Sequence, residues 1–194
     1  MSQGYLELIL GPMFSGKTTR LVELYNEYQL QNKNVLVINY TSDKRYHDTM
    51  LSTHDKIMIP CLFTDNLMKL LDNNDYSISL RNADVILINE GQFFPDLIES
   101  ISLYVEDYYK IVHICGLDGD FCRNKFGNLL DLIPYCDKVT KLHSICTKCK
   151  SNAIFSHRIT DETSQIVIGS TNYIPLCRGC YRIEYKHSME LHKI

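Results

Sequence analysis

A short run near the N-terminus carries the strongest chemical signal in the chain. Gly11-Pro12-Met13-Phe14-Ser15-Gly16-Lys17-Thr18 fits the pattern G-x-x-x-x-G-K-[ST] in full. Glycines let the backbone curl so that successive N–H groups point inward, where they can meet phosphate oxygens. Lys17 sets a positive charge on the outer phosphates. Thr18 offers a hydroxyl to Mg²⁺, which keeps mostly water and phosphate oxygens as its other ligands. This is chemistry for a nucleoside triphosphate. A second signal is Asn89-Glu90-Gly91-Gln92-Phe93-Phe94. In phosphate-loop proteins a strand ending near the phosphates usually brings a carboxylate close to the metal. Glu90 is such a carboxylate and could accept a proton from an attacking hydroxyl. An acidic helix cap or a surface ion pair is the alternative reading of the same residue. A third signal is the pair of knuckles Cys146-x-x-Cys149 and Cys177-x-x-Cys180. Four thiolates can close a tetrahedral Zn²⁺ site with no open position for catalysis. The intervening residues 150–176 outrun the spacer of about 15–20 residues common in such sites, so a small hairpin around Ile166–Ile168 is expected to fill the gap.

The elements that must position these groups can be read from periodicity. Leu6–Leu10 is an apolar run that stops at Gly11, as a buried strand would. Leu21, Leu24, Tyr25 and Tyr28 recur at helical spacing over Thr18–Gln31, so a helix dipole and free N–H groups follow the loop directly. Val35–Tyr40, Ala83–Asn89 and Ile111–Leu117 read as further buried strands, and Val139–Leu142 as a weaker one. Thr41–Asp55 reads as a loop, Asp65–Leu71 as a short helix capped by Thr64 or Asp65, and Pro95–Tyr108 as a helix with Pro95 early. Strand and helix in alternation predict an α/β fold with a parallel sheet and helices on both faces. After residue 142 the cysteine pairs begin and helical periodicity ends. The chain therefore divides into a phosphate-loop domain, 1–142, and a zinc-binding domain, 143–194, with a polar C-terminal tail expected to be disordered.

Composition narrows the function. With 45% hydrophobic and 22% charged residues the chain can build an ordinary core without disulfides. The N-terminus has no basic and apolar leader, and no apolar run approaches the ~20 residues of a membrane span. The expectation is a cytoplasmic protein in a reducing compartment, where paired Cys-x-x-Cys units mean metal or redox chemistry more often than disulfides. The net charge is −3 and no cluster of Lys and Arg stands out, which argues against a nucleic-acid surface.

Four motifs together closely resemble the cellular-type (type II) thymidine kinases, a family with animal cytosolic, bacterial and poxviral members. They are Gly-Pro-Met-Phe-Ser-Gly-Lys-Thr at 11–18, Glu-Gly-Gln-Phe-Phe at 90–94, Leu-Asp-Gly-Asp-Phe at 117–121 and the two cysteine pairs. The resemblance runs over nearly the whole chain, with the motifs in the family's order. It implies ATP- and Mg²⁺-dependent phosphorylation of the 5′-hydroxyl of thymidine or deoxyuridine. It also implies a RecA-like domain, a structural Zn²⁺, a substrate-covering lasso loop, a homotetramer and feedback inhibition by thymidine triphosphate. By residue, it implies Glu90 as the base and Gly11 to Thr18 on the nucleotide. Asp43 and Arg45 fall near the phosphates, Asn89 near the metal and Gln92 on the nucleotide side; Thr53-His54-Asp55 also matches. Met13, Phe93, Leu117, Phe121 and Phe126 would wall the nucleoside pocket. Gln165, Ile166, Val167, Ile168 and Gly169 would form the lasso that reads the base edge through its backbone, with Tyr173 closing the pocket.

Two departures stand out. Asn89 occupies a position where the family usually has Asp, which removes a charge near the metal. Ser156 stands where a pocket Thr is common, so the hydroxyl is kept and a methyl is lost. Three other classes remain open at this point. A nucleoside monophosphate kinase would need extra positive groups for its acceptor. A DNA-binding zinc ATPase would need a basic patch. An inactive nucleotide binder would bind ATP without transfer.

Overall fold

Apolar runs bounded by glycine and polar turns build the centre of this molecule. The structure, a computed structural model, describes residues 3–41, 50–53, 56–167, 169 and 171–191, with 186–191 as backbone only. In chain order the first half gives β1 (Tyr5–Leu10), α1 (Lys17–Leu30), β2 (Val35–Tyr40), β3 (Met50–Ser52), β4 (Met58–Pro60), β5 (Leu62–Thr64), α2 (Lys69–Asp72) and α3 (Asn74–Asn82). Then come β6 (Val85–Ile88), α4 (Leu97–Ser102), β7 (Ile111–Gly116) and β8 (Lys138–Lys141). The sheet order is β5-β2-β6-β7-β1-β8, with every neighbouring pair parallel.

Because side chains alternate across a strand, each central strand feeds two cores. Leu6, Leu8 and Leu10 of β1 and Ile86 and Ile88 of β6 face one side, where Leu97, Ile101 and Tyr104 cover them. Ile9, Val85 and Leu87 face the other, against Leu21, Val22 and Leu24 of α1. All six strands run the same way, so the ends of β1, β2, β6 and β7 gather on one edge. That edge is where ligands bind in open parallel sheets.

The structure departs from the periodicity reading in several places. Met50–Ser52 lies within the expected loop yet pairs antiparallel with Met58–Pro60. The helix expected over Asp65–Leu71 begins only at Lys69, because Thr64 spends its hydroxyl on a turn with Asn66, whose side chain then caps Lys69 N at 3.0 Å. The α3 helix follows, capped by Asn73, which accepts from Asp75 N and Tyr76 N. Pro95–Tyr108 resolves into α4 and a wider π turn over Leu103–Asp107.

The second half makes short antiparallel pairs. These are β9 (Ser144–Ile145) with β10 (Asn152–Ala153), and β11 (Phe155–Arg158) with β12 (Tyr173–Leu176), before α5 (Arg178–Leu191). The hairpin between the cysteine pairs is therefore β11–β12, and Ile166 and Val167 lie in the connection between its strands. The tail expected to be disordered from Lys186 continues as helix to Leu191. Among the described residues no helix is long and apolar enough to cross a membrane.

Candidate active site

The phosphate loop leaves β1 at Leu10 and enters α1 at Lys17. A Cβ on Gly11 would lie 2.7 Å from Ser15 Oγ and 2.8 Å from the Leu142 carbonyl, so only glycine lets the loop start this close to its neighbours. Gly16 adopts a left-handed conformation, φ 79°, to swing the chain into the helix. Ser15 Oγ is buried with no partner among the described residues. A buried orphan oxygen in a loop of this kind fits a ligand that brings its own polar atoms. Lys17 is buried and donates to the Pro12 carbonyl at 2.8 Å, folding its ammonium back over the loop.

The β6 end meets this loop. Thr18 Oγ1 lies 3.5 Å from Asn89 Oδ1, so the two oxygens that suit a hydrated Mg²⁺ sit side by side. Asn89 Nδ2 donates to Asn39 Oδ1 at 2.9 Å, and that oxygen also accepts from Tyr40 N at 3.0 Å. An aspartate at 89 has no hydrogen to give Asn39 Oδ1 and would set oxygen against oxygen in a buried place. The amide at 89 therefore suits its neighbour in this chain. Cys115 Sγ, 3.0 Å from Asn89 Oδ1, completes the cluster.

Glu90 has φ 56° and ψ 43°, a left-handed conformation unusual for any residue with a side chain. Such a conformation costs energy, which the surrounding contacts must offset. Gln92 holds the carboxylate: its Nε2 donates to Glu90 Oε2 at 2.6 Å, and its Oε1 accepts from Leu117 N at 3.0 Å. Gln92 is thus a buried strut between two strand ends, set back from the cavity. Close packing around it is enforced by Gly127, φ 59°, where a Cβ would lie 2.0 Å from the Gln92 carbonyl.

A cavity of about 290 Å³ opens along this edge. Met13 to Thr18 and Glu90 line one part of it. Phe93, Leu117, Phe121 and Phe126 line another, with Phe93 and Phe126 edge to face at 5.4 Å. Gln165, Ile166, Val167, Gly169 and Tyr173 form the wall opposite, and Tyr173 donates to the Val167 carbonyl at 3.2 Å. Ser156 also lines the cavity and accepts from Met13 N at 2.9 Å, tying the β11 strand to the phosphate loop. Gly11, Pro12, Asn89 and Gln92 support the cavity without lining it. Asp43, Arg45, His54, Asp55 and Ile168 lie outside the described residues; Thr53 is buried beside β3.

Sequence reasoning missed Thr19, Tyr40, Ser52, Gly119 and Asp120, all of which line the cavity. Asp120 had a signal, since it sits inside the Leu-Asp-Gly-Asp-Phe motif. It accepts from Cys122 N and Asn124 N and from Gln165 Nε2 at 2.9 Å, clasping the opposite wall. Tyr40 could have been found as the end of a parallel strand. Ser52 comes from the unexpected β3 and had none.

The four cysteine sulfurs lie within 4.8 Å of one another, with Cys149 and Cys177 at 3.5 Å. A tetrahedral zinc with bonds of about 2.3 Å sets its sulfurs about 3.8 Å apart, so the cluster fits. Burial opposes ionisation of Cys146, but backbone N–H groups of Cys177, Cys149 and Lys148 outweigh it and bring the thiol down to about 6. Contacts with Cys149 and Cys177 push Cys180 up to about 12. One thiolate among four neighbours makes the next harder to form, and a divalent cation removes that opposition.

A family model described as thymidine kinase matches residues 4–181. A thymidine kinase of Yaba monkey tumor virus is 43% identical over 179 residues, covering 92% of this chain and 94% of that protein. Thymidine kinases of sheeppox virus and of vaccinia virus strain Ankara are 39% and 41% identical, covering 95% and 93% of this chain and 100% and 98% of theirs. Among solved structures, a chain titled for Pif1 helicases unwinding forked double-stranded DNA overlays 62% of this chain and 31% of its own length. Its TM-score is 0.37 and its identity 15%, too distant to bear on the chemistry.

Proposed function

The chain belongs to the thymidine kinase family, and on that footing we propose that it moves the γ-phosphoryl group of ATP to the 5′-hydroxyl of thymidine in the presence of Mg²⁺. The observation that carries this reading is a single cavity bounded by the phosphate loop, Glu90 and an apolar box of Phe93, Leu117, Phe121 and Phe126. A nucleoside needs such walls, with few polar groups to orient it. The triphosphate lies on Gly11 to Thr18, and Lys17 and Arg45 steady the charge of the moving group. Thr18 and Asn89 would hold the metal, directly or through water. Such a metal, when bound, would supply neutralisation of the phosphate charge. Glu90, oriented by Gln92, takes the proton of the 5′-hydroxyl as that oxygen attacks.

The family resemblance implies that the segment 165–169 reads the base edge through its backbone, so thymine and uracil would differ there by one methyl. We therefore include deoxyuridine as an acceptor. Thymidine triphosphate carries both a nucleoside and a triphosphate and suits feedback inhibition at the same cavity. Zn²⁺ on Cys146, Cys149, Cys177 and Cys180 is structural. The division at residues 142 and 143, a cytoplasmic setting and a homotetramer complete the reading.

The test is Glu90→Gln. The carboxylate leaves while its shape remains, so turnover of thymidine should fall about 10²–10⁴-fold with ATP binding kept. Near-normal turnover in this variant would remove Glu90 from the proton-transfer role.

A further inference from the structure

The connection 159–172 forms one wall of the cavity, yet its described residues contain no helix or strand. Ordering such a segment costs conformational entropy, which something nearby must offset. Arg158, the last residue of β11, is 5% exposed and stands just behind the wall. Its Nη1 donates to the carbonyls of Glu162, at 2.7 Å, and Ser164. Its Nη2 donates to the Gln165 carbonyl at 3.1 Å and to the Tyr173 hydroxyl, which passes its own hydrogen to the Val167 carbonyl. The guanidinium lies over the Phe121 ring, 3.8 Å from its centroid. Phe121, Gln165, Val167 and Tyr173 all line the cavity, while Arg158 does not.

We propose that Arg158 is a positioning residue, whose guanidinium fixes residues 162–167 against Phe121 and Tyr173 and so preorganises the nucleoside side of the cavity. This rests on the reading that thymidine binds there. The side-chain type matters. A planar fork with five donors can reach several carbonyls while its face stacks on an aromatic ring. A lysine carries its three donors on one compact ammonium, with no second nitrogen to spread them over separate carbonyls and no plane to stack on the ring. The phosphate loop is held by other contacts, so the effect falls on the acceptor and not on ATP. Preorganisation of this kind is felt as affinity.

The experiment compares the unsubstituted protein with Arg158→Lys by steady-state kinetics, hydrogen exchange of residues 162–167 and far-UV circular dichroism. Lost charge-assisted hydrogen bonds should raise KM for thymidine about tenfold. KM for ATP and kcat should stay within about twofold, and amides 162–167 should exchange faster with the circular dichroism unchanged. Exchange rates equal to those of the unsubstituted protein would overturn the proposal. So would faster exchange with an unchanged thymidine KM, or equal losses for both substrates, which mark a general structural role. If the lysine variant does not fold, Arg158→Gln carries the same comparison. Failure of the unsubstituted protein to phosphorylate thymidine would count against the acceptor, and the exchange rates would still decide whether Arg158 holds the segment.

Discussion

Single residues in this site are tuned by their neighbours more than by their own chemistry. Gln92 illustrates the point. Its place in the Glu-Gly-Gln-Phe-Phe motif suggests contact with nucleotide, but the side chain is buried and links Glu90 to Leu117 N. Gln92→Leu keeps much of the volume and removes both hydrogen bonds. The Glu90 carboxylate then loses its orientation, and kcat should fall by up to about 10²-fold with little change in KM for ATP. An unchanged kcat would show that the left-handed backbone of Glu90 positions it unaided. Ser156 gives a second case. Ser156→Ala leaves Met13 N without its acceptor in a partly buried place, so stability should drop by about 1 kcal/mol in urea titration. The family's threonine at this position keeps the hydroxyl, which is the part the structure uses.

Elements differ in how plainly they are written in the chain. The strands β1, β2, β6 and β7 announce themselves because both their faces are buried, leaving unbroken runs such as Val-Ile-Leu-Ile at 85–88. The phosphate loop is legible because strand, glycine turn and helix each leave a mark. The β3–β4 pair is not, since its strands are three residues each and carry no alternation long enough to read. The α3 helix hides in a polar stretch, where two buried side chains, Ser77 and Leu80, suffice to seat it. Likewise Tyr40 and Ser52 join Glu90 in lining the cavity only because β2 and β3 end beside it. The cysteine lobe is legible as a metal motif, while its hairpin depends on where β11 and β12 find register. Its own core is small, with Cys146, Ala153, Leu176 and Tyr181 fully buried. A metal on the four cysteines would supply the cross-link that so small a core lacks. Cys146→Ser should abolish stoichiometric zinc by elemental analysis and lower the melting temperature. A zinc-free variant that melts with the unsubstituted protein would contradict a structural ion.

The molecule as a whole carries a buried polar cluster on the sheet, away from the cavity. Glu7 of β1 meets His113 of β7 at 3.1 Å, and His113 Nε2 meets the Tyr28 hydroxyl at 2.9 Å. Burial holds the His113 imidazole below its ordinary 6.5 despite the nearby Glu7. Burial pushes Glu7 up, but the Thr140 hydroxyl and the Lys138 ammonium hold it below its ordinary 4.5. As pH falls, the unfolded chain takes up each proton before the native one does, so both groups draw stability away. Urea midpoints should decline in two overlapping stages, from about pH 6.5 for His113 together with His157, which burial also holds low, and from about pH 4.5 for Glu7. His113→Asn should flatten the upper stage, and a midpoint that rises between pH 7 and pH 5 would contradict the assignment.

The central proposal for the whole molecule is that thymidine accepts a phosphoryl group from ATP in this cavity. The direct measurement offers labelled ATP and Mg²⁺ to the protein with thymidine, deoxyuridine, deoxycytidine or thymidine monophosphate. Labelled monophosphate should form from thymidine and deoxyuridine and none from the other two. ATP binding without transfer to thymidine would contradict it.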